Sequence, residues 1–413
     1  MRYVIDLECI KCGNQYSPEP DRYLCSCGGL LEVRYDYPLL RQEWDRDALA
    51  DNSDYSMWRY LPLLPVGPFS RRSPLRTGWT PLYKSAALAR ALGLKGTVWV
   101  KDDGLNPTGS LKDRASAVAV VKAAEAGAKI VACSSTGNAA SSLAGNVAAL
   151  GGSMQSVIFV PARAPQGKVA QLLIYGAKVI SVQGDYRDAF ELSMAAIEKW
   201  GWYNRNAAIN PYLSEGKKTA VLELAEQLNW QMPDWLFLSV GDGCTMAGAG
   251  KALADLAALG FIDKIPRLVG VQAVGCAPIY NAFISGGSLE PTQENTLADS
   301  IAVGVPRNPH KALEAIRASQ GLMVTVEDQE ILAAMRLLGR TCGVFAEPAS
   351  AAGLAGLVTL ANRGIIANQD SVAVISTGNG LKDTANALKA AGEPLRLPPD
   401  IKVLAEKLEE DER

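Results

Sequence analysis

The stretch LNPTGSLKDRAS (105–116) sets one lysine, Lys112, between a Pro/Gly turn and an alanine-rich run. Ser110 and, three residues on, Asp113 make a capping-box pattern, which predicts that Lys112 lies in the first turn of a helix. The positive end of a helix dipole disfavours an ammonium, and a lysine with a lowered pKa is a better nucleophile towards a carbonyl carbon. A solvated lysine at a helix start is the competing reading of the same residues. Three further loops of small residues follow apolar runs. SSTGNAASS (134–142) offers Ser135, Thr136 and backbone amides at another helix start, a place that suits a small carboxylate. VGDGCTMAG (240–248) could cradle a phosphate on the amides of Gly241, Asp242, Gly243, Cys244 and Thr245. It is not a Walker loop, because no Lys-Ser or Lys-Thr follows, and a Gly-x-Gly-x-x-Gly fingerprint fails at Met246. STGNGLKD (376–383) could point the Thr377 hydroxyl at a ligand. The chain has 1 histidine, His310, so imidazole relays are nearly excluded. A lysine nucleophile, a phosphate cradle and no reliance on histidine together suggest pyridoxal phosphate (PLP).

The elements that must hold these loops are legible as alternation. From Thr80 onward, apolar runs (GTVWVK, KIVACSS, SVIFVP, AKVISVQG, DWLFLSVG, RLVGVQAVG, LMVTVED, VAVIST) are separated by alanine-rich helical stretches. This is the α/β pattern of parallel sheets, whose ligands sit at the carboxyl ends of the strands. Residues 38–80, rich in Pro, Arg and Trp with little periodicity, read as an extended connector laid over a domain surface. The 413 residues are 48% hydrophobic and 20% charged with a formal net charge of −2. Such a composition gives no nucleic-acid or polybasic membrane surface and points to small-molecule partners. No apolar run approaches a membrane span, and Asp6 and Glu8 interrupt the place of a signal peptide, so a cytoplasmic protein is expected.

Of 8 cysteines, four fall early, as Cys9-x2-Cys12 and Cys25-x-Cys27. The spacing suits a small tetrahedral zinc site, closed and structural because four protein ligands leave no open position. The single residue inside the second pair strains a standard knuckle. The alternative is a metal-free ribbon packed on Leu30, Leu31 and Val33.

Taken in order, CGGLLEVRYD, GWTPLYKS, GLNPTGSLKDR, SSTGNAASS, NPYLSEGKKT, FAEPASAAG and STGNGLKD resemble the fold-type-II PLP enzymes, and the threonine synthase family in particular, over nearly the whole chain. The resemblance implies two open-sheet, three-layer αβα domains with a small N-terminal zinc-ribbon-like module. The expected division is 1–38 for the module, 39–115 with 213–400 for a large PLP-binding domain, 116–212 for a small mobile domain, and 401–413 for a charged tail. It implies that Lys112 binds the cofactor covalently, that Asn138 bonds its 3′-oxygen, that Gly241–Thr245 hold its phosphate, and that Thr377 meets the pyridine nitrogen. A hydroxyl there makes the cofactor a weaker electron sink than a carboxylate would, which favours elimination over transamination. Ser135 and Thr136 would hold the substrate carboxylate, and a homodimer is expected. The implied reaction is conversion of O-phosphohomoserine to threonine and phosphate. One departure bears on that substrate. Where the family carries Asn, Ser and Arg to grip the substrate phosphate, this chain has Ala207, Ala208 and Leu213; Arg205, Lys217 or Lys218 could compensate. The lost contacts favour a serine/threonine ammonia-lyase, or another β-eliminating or β-replacing PLP enzyme, as the alternative. A PLP-binding protein without turnover and a nucleotide-binding dehydrogenase are weaker readings, opposed by intact Lys112 and by the failed fingerprints.

Overall fold

A computed structural model describes residues 1–164 and 166–411. Its strands are, in chain order, β1 Val4–Cys9, β2 Gln15–Tyr16, β3 Leu31–Tyr35, β4 Leu82–Lys84, β5 Val98–Asp102, β6 Ile130–Ser134 and β7 Gln155–Pro161. They continue with β8 Lys178–Val182, β9 Tyr203–Asn204, β10 Trp235–Ser239, β11 Arg267–Ala273, β12 Leu322–Val326 and β13 Val372–Ser376. Every apolar run read from the sequence is one of these strands. They are legible because a parallel strand covered by helices on both faces has no polar side to show, as in WLFLS of β10 and VAVIS of β13, where each residue is buried. The short edge strands β4 and β9 carry no such run.

The strands form three sheets. A six-stranded sheet runs β12-β11-β10-β13-β5-β4, parallel except for β4 at its edge. A four-stranded parallel sheet runs β8-β7-β6-β9. Alternate residues of one strand enter different cores. Leu236 and Leu238 of β10 pack on one face of the large sheet while Trp235 and Phe237 pack on the other. In the small sheet, Ile158 and Val160 part in the same way from Val157 and Phe159. Both sheets are therefore the middle layer of an αβα sandwich.

The antiparallel sheet β2-β1-β3 belongs to the N-terminal module. Its Leu7, Leu31, Val33 and Tyr35 share a core with Val221 and Leu253 from two helices of the large sheet's cover. Tyr35 Oη donates to the buried Glu215 Oε2 at 2.6 Å. The expectation of a connector lying over the surface at residues 38–80 is corrected. Short helices occupy Tyr37–Glu43, Arg46–Ala50 and Met57–Leu63, and Met57, Trp58, Tyr60 and Leu63 are buried in that same core. Proline keeps the helices short, but the bulky residues between prolines still need burial. The charged tail is helical over Ile401–Asp411, and residues 412 and 413 of that expected segment lie outside the described residues. No helix among the described residues is long and apolar enough to cross a membrane.

Candidate active site

Lys112 is the first residue of the helix Lys112–Glu125, as its spacing predicts, but the capping box does not form. The Asp113 carboxylate instead accepts from the Thr108 N–H at 2.8 Å and the Thr108 hydroxyl at 2.9 Å. Ser110 is occupied by a bridge to Gly378. The loops at the strand ends are tied together by their backbones. Leu111 N–H donates to Thr377 O at 2.8 Å, Asn379 N–H to Gly109 O at 3.0 Å, and Glu347 N–H to Gly378 O at 3.1 Å.

These ties close a cavity that holds about 590 Å³ of empty space, its open side included. Lys112, Asn138, the whole turn Gly241–Thr245 and Thr377 line it together. Ser135 and Thr136 do not; they lie beside it in the loop leading to Asn138, where Ser135 Oγ accepts from the Gly137 N–H at 3.2 Å. At the end of β6, just ahead of that loop, Ser134 Oγ is buried without a hydrogen-bond partner among the described residues. A buried hydroxyl left unpaired is costly, so water or a polar ligand suits this one.

The residues fit PLP. The helix Cys244–Leu259 begins at Gly243 with no side-chain cap, which leaves its first amides and its positive dipole end facing the cavity. Gly243 has φ +88°, and a Cβ there would stand 2.5 Å from Asn308 O, so the turn admits no larger residue. Lys112 keeps a little solvent contact through the cavity mouth, but the atoms around it are dense enough that desolvation dominates. Burial pushes its amine down to about 8, with Lys217 pushing further, Glu347 opposing, and Arg205 adding to the lowering. The sequence reading named the helix dipole, whereas burial is the larger cause.

Glu347, within FAEPASAAG, has no role that its sequence context signals. It is the N-cap of the helix Pro348–Asn362, yet its side chain caps nothing. It faces the cavity, where Oε1 accepts from Asn138 Nδ2 at 2.7 Å. Burial raises its carboxyl to about 7, against the pull of Lys112 and of the Asn138 bond. A Glu ahead of a helix-starting Pro is ordinary N-terminal chemistry, so its type and spacing carried no signal. Lys217 also lines the cavity, as does Ala207, while Leu213 is buried in the apolar core of the small sheet. Lys218 cannot reach the site, because its ammonium is held by Glu215 at 2.5 Å and Asp255 at 2.6 Å.

Behind this wall lies a second buried ionic group. Arg114, two residues past Lys112, donates Nε to Asp103 Oδ2 at 2.7 Å and Nη1 to Glu223 Oε1 at 2.6 Å. Lys101 Nζ reaches the same Glu223 at 2.9 Å.

At the N-terminus, the sulfurs of Cys9, Cys12, Cys25 and Cys27 all lie within 4.8 Å of one another. Cys9–Cys27, Cys12–Cys25 and Cys12–Cys27 are 3.6, 3.5 and 3.4 Å apart. The edge of a tetrahedron of sulfurs around zinc is about 3.8 Å, so the set fits that ion. The one-residue spacing of the second pair is absorbed by a turn, in which the Gly28 N–H donates to Cys25 O at 2.9 Å with Gly28 at φ +75°.

Residues 74–378 match the family model described as "Pyridoxal-phosphate dependent enzyme". The threonine synthase of Methanocaldococcus jannaschii is 40% identical over 405 residues, 97% of this chain and 99% of that protein. The threonine synthase of Methanosarcina acetivorans is 41% identical over 406 residues, 97% of this chain and 98% of that protein. Among solved structures, the processed form of threonine deaminase isoform 2 from Solanum lycopersicum superposes with a TM-score of 0.68 at 22% identity, covering 82% of this chain and 93% of that one. Diaminopropionate ammonia lyase from Escherichia coli does so with 0.65 at 21% identity, covering 83% and 92%. At such identities these two speak to the fold alone, which is that of the fold-type-II enzymes. With a lysine at the mouth of a phosphate-sized cradle and 40% identity along its length, this chain belongs to the pyridoxal-phosphate dependent enzymes and, within them, to the threonine synthase family.

Proposed function

We propose that this chain converts O-phosphohomoserine to threonine and inorganic phosphate, with PLP held on Lys112. The observation that carries the proposal is the amine of Lys112, lowered to about 8 and set with Glu347 in the cavity whose floor is the uncapped Gly241–Thr245 turn. Gly241, Asp242, Gly243, Cys244 and Thr245 would hold the cofactor phosphate, and Asn138 and Thr377 would meet its ring. When bound, the cofactor supplies an electron sink for the carbon that bears the substrate's amino group. The Lys112 amine takes the α-proton and returns protons during the reaction, and an amine near 8 can do both around neutral pH. Glu347, near 7, is matched to exchange a proton with its surroundings in the same range. Ser135, Thr136 and the unpaired Ser134 hydroxyl would hold the substrate carboxylate. Phosphate leaves from the γ-carbon and water adds at the β-carbon. The test is a substrate panel with product identification. Threonine plus phosphate from O-phosphohomoserine is expected. Keto acid plus ammonia from serine or threonine as the sole activity would replace this reading with an ammonia-lyase, which Ala207 on the cavity wall and buried Leu213 favour over the family's polar grip.

We further infer that Cys9, Cys12, Cys25 and Cys27 hold structural zinc, on the strength of the sulfur spacing. The large PLP-binding domain would comprise 39–115 and 213–400 and the small mobile one 116–212, each around its own sheet. A cytoplasmic setting suits 8 cysteines of which none forms a disulfide, and the family resemblance supports a homodimer.

A further inference from the structure

Arg205 follows directly on β9 and is fully buried. Among the described residues its guanidinium hydrogen-bonds to one side chain, the Ser116 hydroxyl, with Nε at 3.1 Å and Nη2 at 2.9 Å. Lys217 is 3% exposed, lines the cavity and has the Cys244 thiol beside it. Neither has a carboxylate within ion-pair distance among the described residues. The charge of Arg205 acts on Lys217, and both act on Lys112. Close packing leaves them no way to separate. Gly216, next to Lys217, lets the helix Tyr212–Gln227 lie against the helix Lys112–Glu125, since a Cβ there would collide with Arg114 O. Arg205 and Lys217 thus crowd positive charge near Lys112, and the carboxylates that act on them, Asp113 on Arg205 and Asp242 on Lys217, do so from beyond ion-pair distance. A buried charge without a partner is tolerated where a ligand brings the partner. The backbone between them is strained as well. Ala208, which is not a glycine, is held at φ +69° in the loop 205–210.

We propose that Arg205 and Lys217 form the seat of the substrate's phosphate in this chain, taking over from the polar side chains that Ala207, Ala208 and Leu213 do not supply. The proposal rests on the reading of the substrate as a phosphorylated amino acid. A dianion between a guanidinium and an ammonium gains two charge-assisted bonds and neutralises both cations at once. The cofactor's phosphate has its own cradle in the amides of Gly241–Thr245, which leaves this pair for a second dianion.

The holoenzyme variants Lys217→Gln, Arg205→Met and Arg205→Lys test it through three readings: KM for O-phosphohomoserine, the inhibition constant of inorganic phosphate, and cofactor affinity from its visible absorbance. The expected result is a rise of roughly tenfold or more in KM and in the phosphate inhibition constant for Lys217→Gln and Arg205→Met, with cofactor affinity kept and partial recovery in Arg205→Lys. Unchanged KM and unchanged phosphate inhibition in a wild type that does use O-phosphohomoserine would overturn the seat while leaving the function intact. Loss of cofactor in Lys217→Gln with phosphate inhibition unaltered would overturn it too, by giving that cation to the cofactor. A wild type that neither turns over O-phosphohomoserine nor is inhibited by phosphate would remove both the seat and the reaction. Phosphate inhibition that weakens with Arg205→Met in a wild type acting on another substrate would retain the anion seat and discard only the reaction.

Discussion

Two groups of buried cations meet at the same pair of helices, Lys112–Glu125 and Tyr212–Gln227, and they are opposites. Around Arg114, every charge is answered. Arg114 and Lys101 face Asp103 and Glu223, and Thr80 and Thr219 hydroxyls fill the remaining valences. Around Lys112, the charges of Lys217 and Arg205 press on its amine, Glu347 opposes them, and neither Lys217 nor Arg205 has an ion-pair partner among the described residues. Burial alone therefore says nothing about role. A closed set of partners marks a group that holds the fold in one arrangement, and an open set marks a group waiting for a ligand.

The difference can be broken from either side. On the open side, Lys112→Ala should lower kcat/KM by roughly 10³-fold or more, because it removes both the covalent anchor and the proton carrier. Its urea midpoint should stay near that of wild type, since Lys112 makes no ion pair among the described residues. A collapse of stability in this variant would place Lys112 with the structural group. On the closed side, Arg114→Met should cost about 3–5 kcal/mol of unfolding free energy by stranding Asp103 and Glu223 in the interior. A loss under about 1 kcal/mol, read from denaturant titration, would show that water or protons replace the guanidinium at little expense.

Glu347 sharpens the contrast through pH. Its ordinary value of 4.5 is raised to about 7 by burial, so between these values the folded chain holds a proton that the unfolded chain has released. The stability contribution of this group therefore falls as pH rises from about 4.5 to 7 and is level above that. In Glu347→Gln the loss disappears. The difference between wild type and variant, measured on cofactor-free protein across that window, should change by up to about 3 kcal/mol. A pH-independent difference would mean that the carboxylate is fully paired after all.

The cysteine cluster, proposed above as a zinc site, is the mirror image, four sulfurs close enough to share one positive centre. Chelation should release metal and open the sheet β2-β1-β3 to proteolysis, with the smallest effect of the four on the cofactor's absorbance. Cofactor loss in step with metal would tie the two sites together.

What the sequence discloses follows from how local each feature is. The large parallel strands are visible because a doubly covered strand is apolar throughout, and the loops at their ends are visible because small residues cluster there. Lys112, Asn138, Gly241–Thr245 and Thr377 do meet in one cavity. The helices inside residues 38–80 were hidden, because short helices between prolines leave no period to detect. Pairing was hidden more deeply. Lys217 and Lys218 are neighbours of the same type, and only the fold shows that Lys218 is taken by Asp255 while Lys217 is left facing the cavity. Glu347 was hidden for a similar reason, since its partner Asn138 is 209 positions away in the chain.

The N-terminal module has a further consequence at β9. This two-residue strand is the rim of the small sheet, and its Asn204 N–H points outward to donate to Tyr23 Oη at 2.9 Å, while the Tyr23 ring meets Tyr203 edge-on at 5.6 Å. An unpaired rim is a template on which a foreign strand can add, and proteins blunt such rims with short strands and covering loops. The cysteine-clasped loop is that cover. A chain deprived of it would present bare hydrogen-bond donors and an uncovered tyrosine, and would be prone to self-association through that rim before any change in its chemistry was felt.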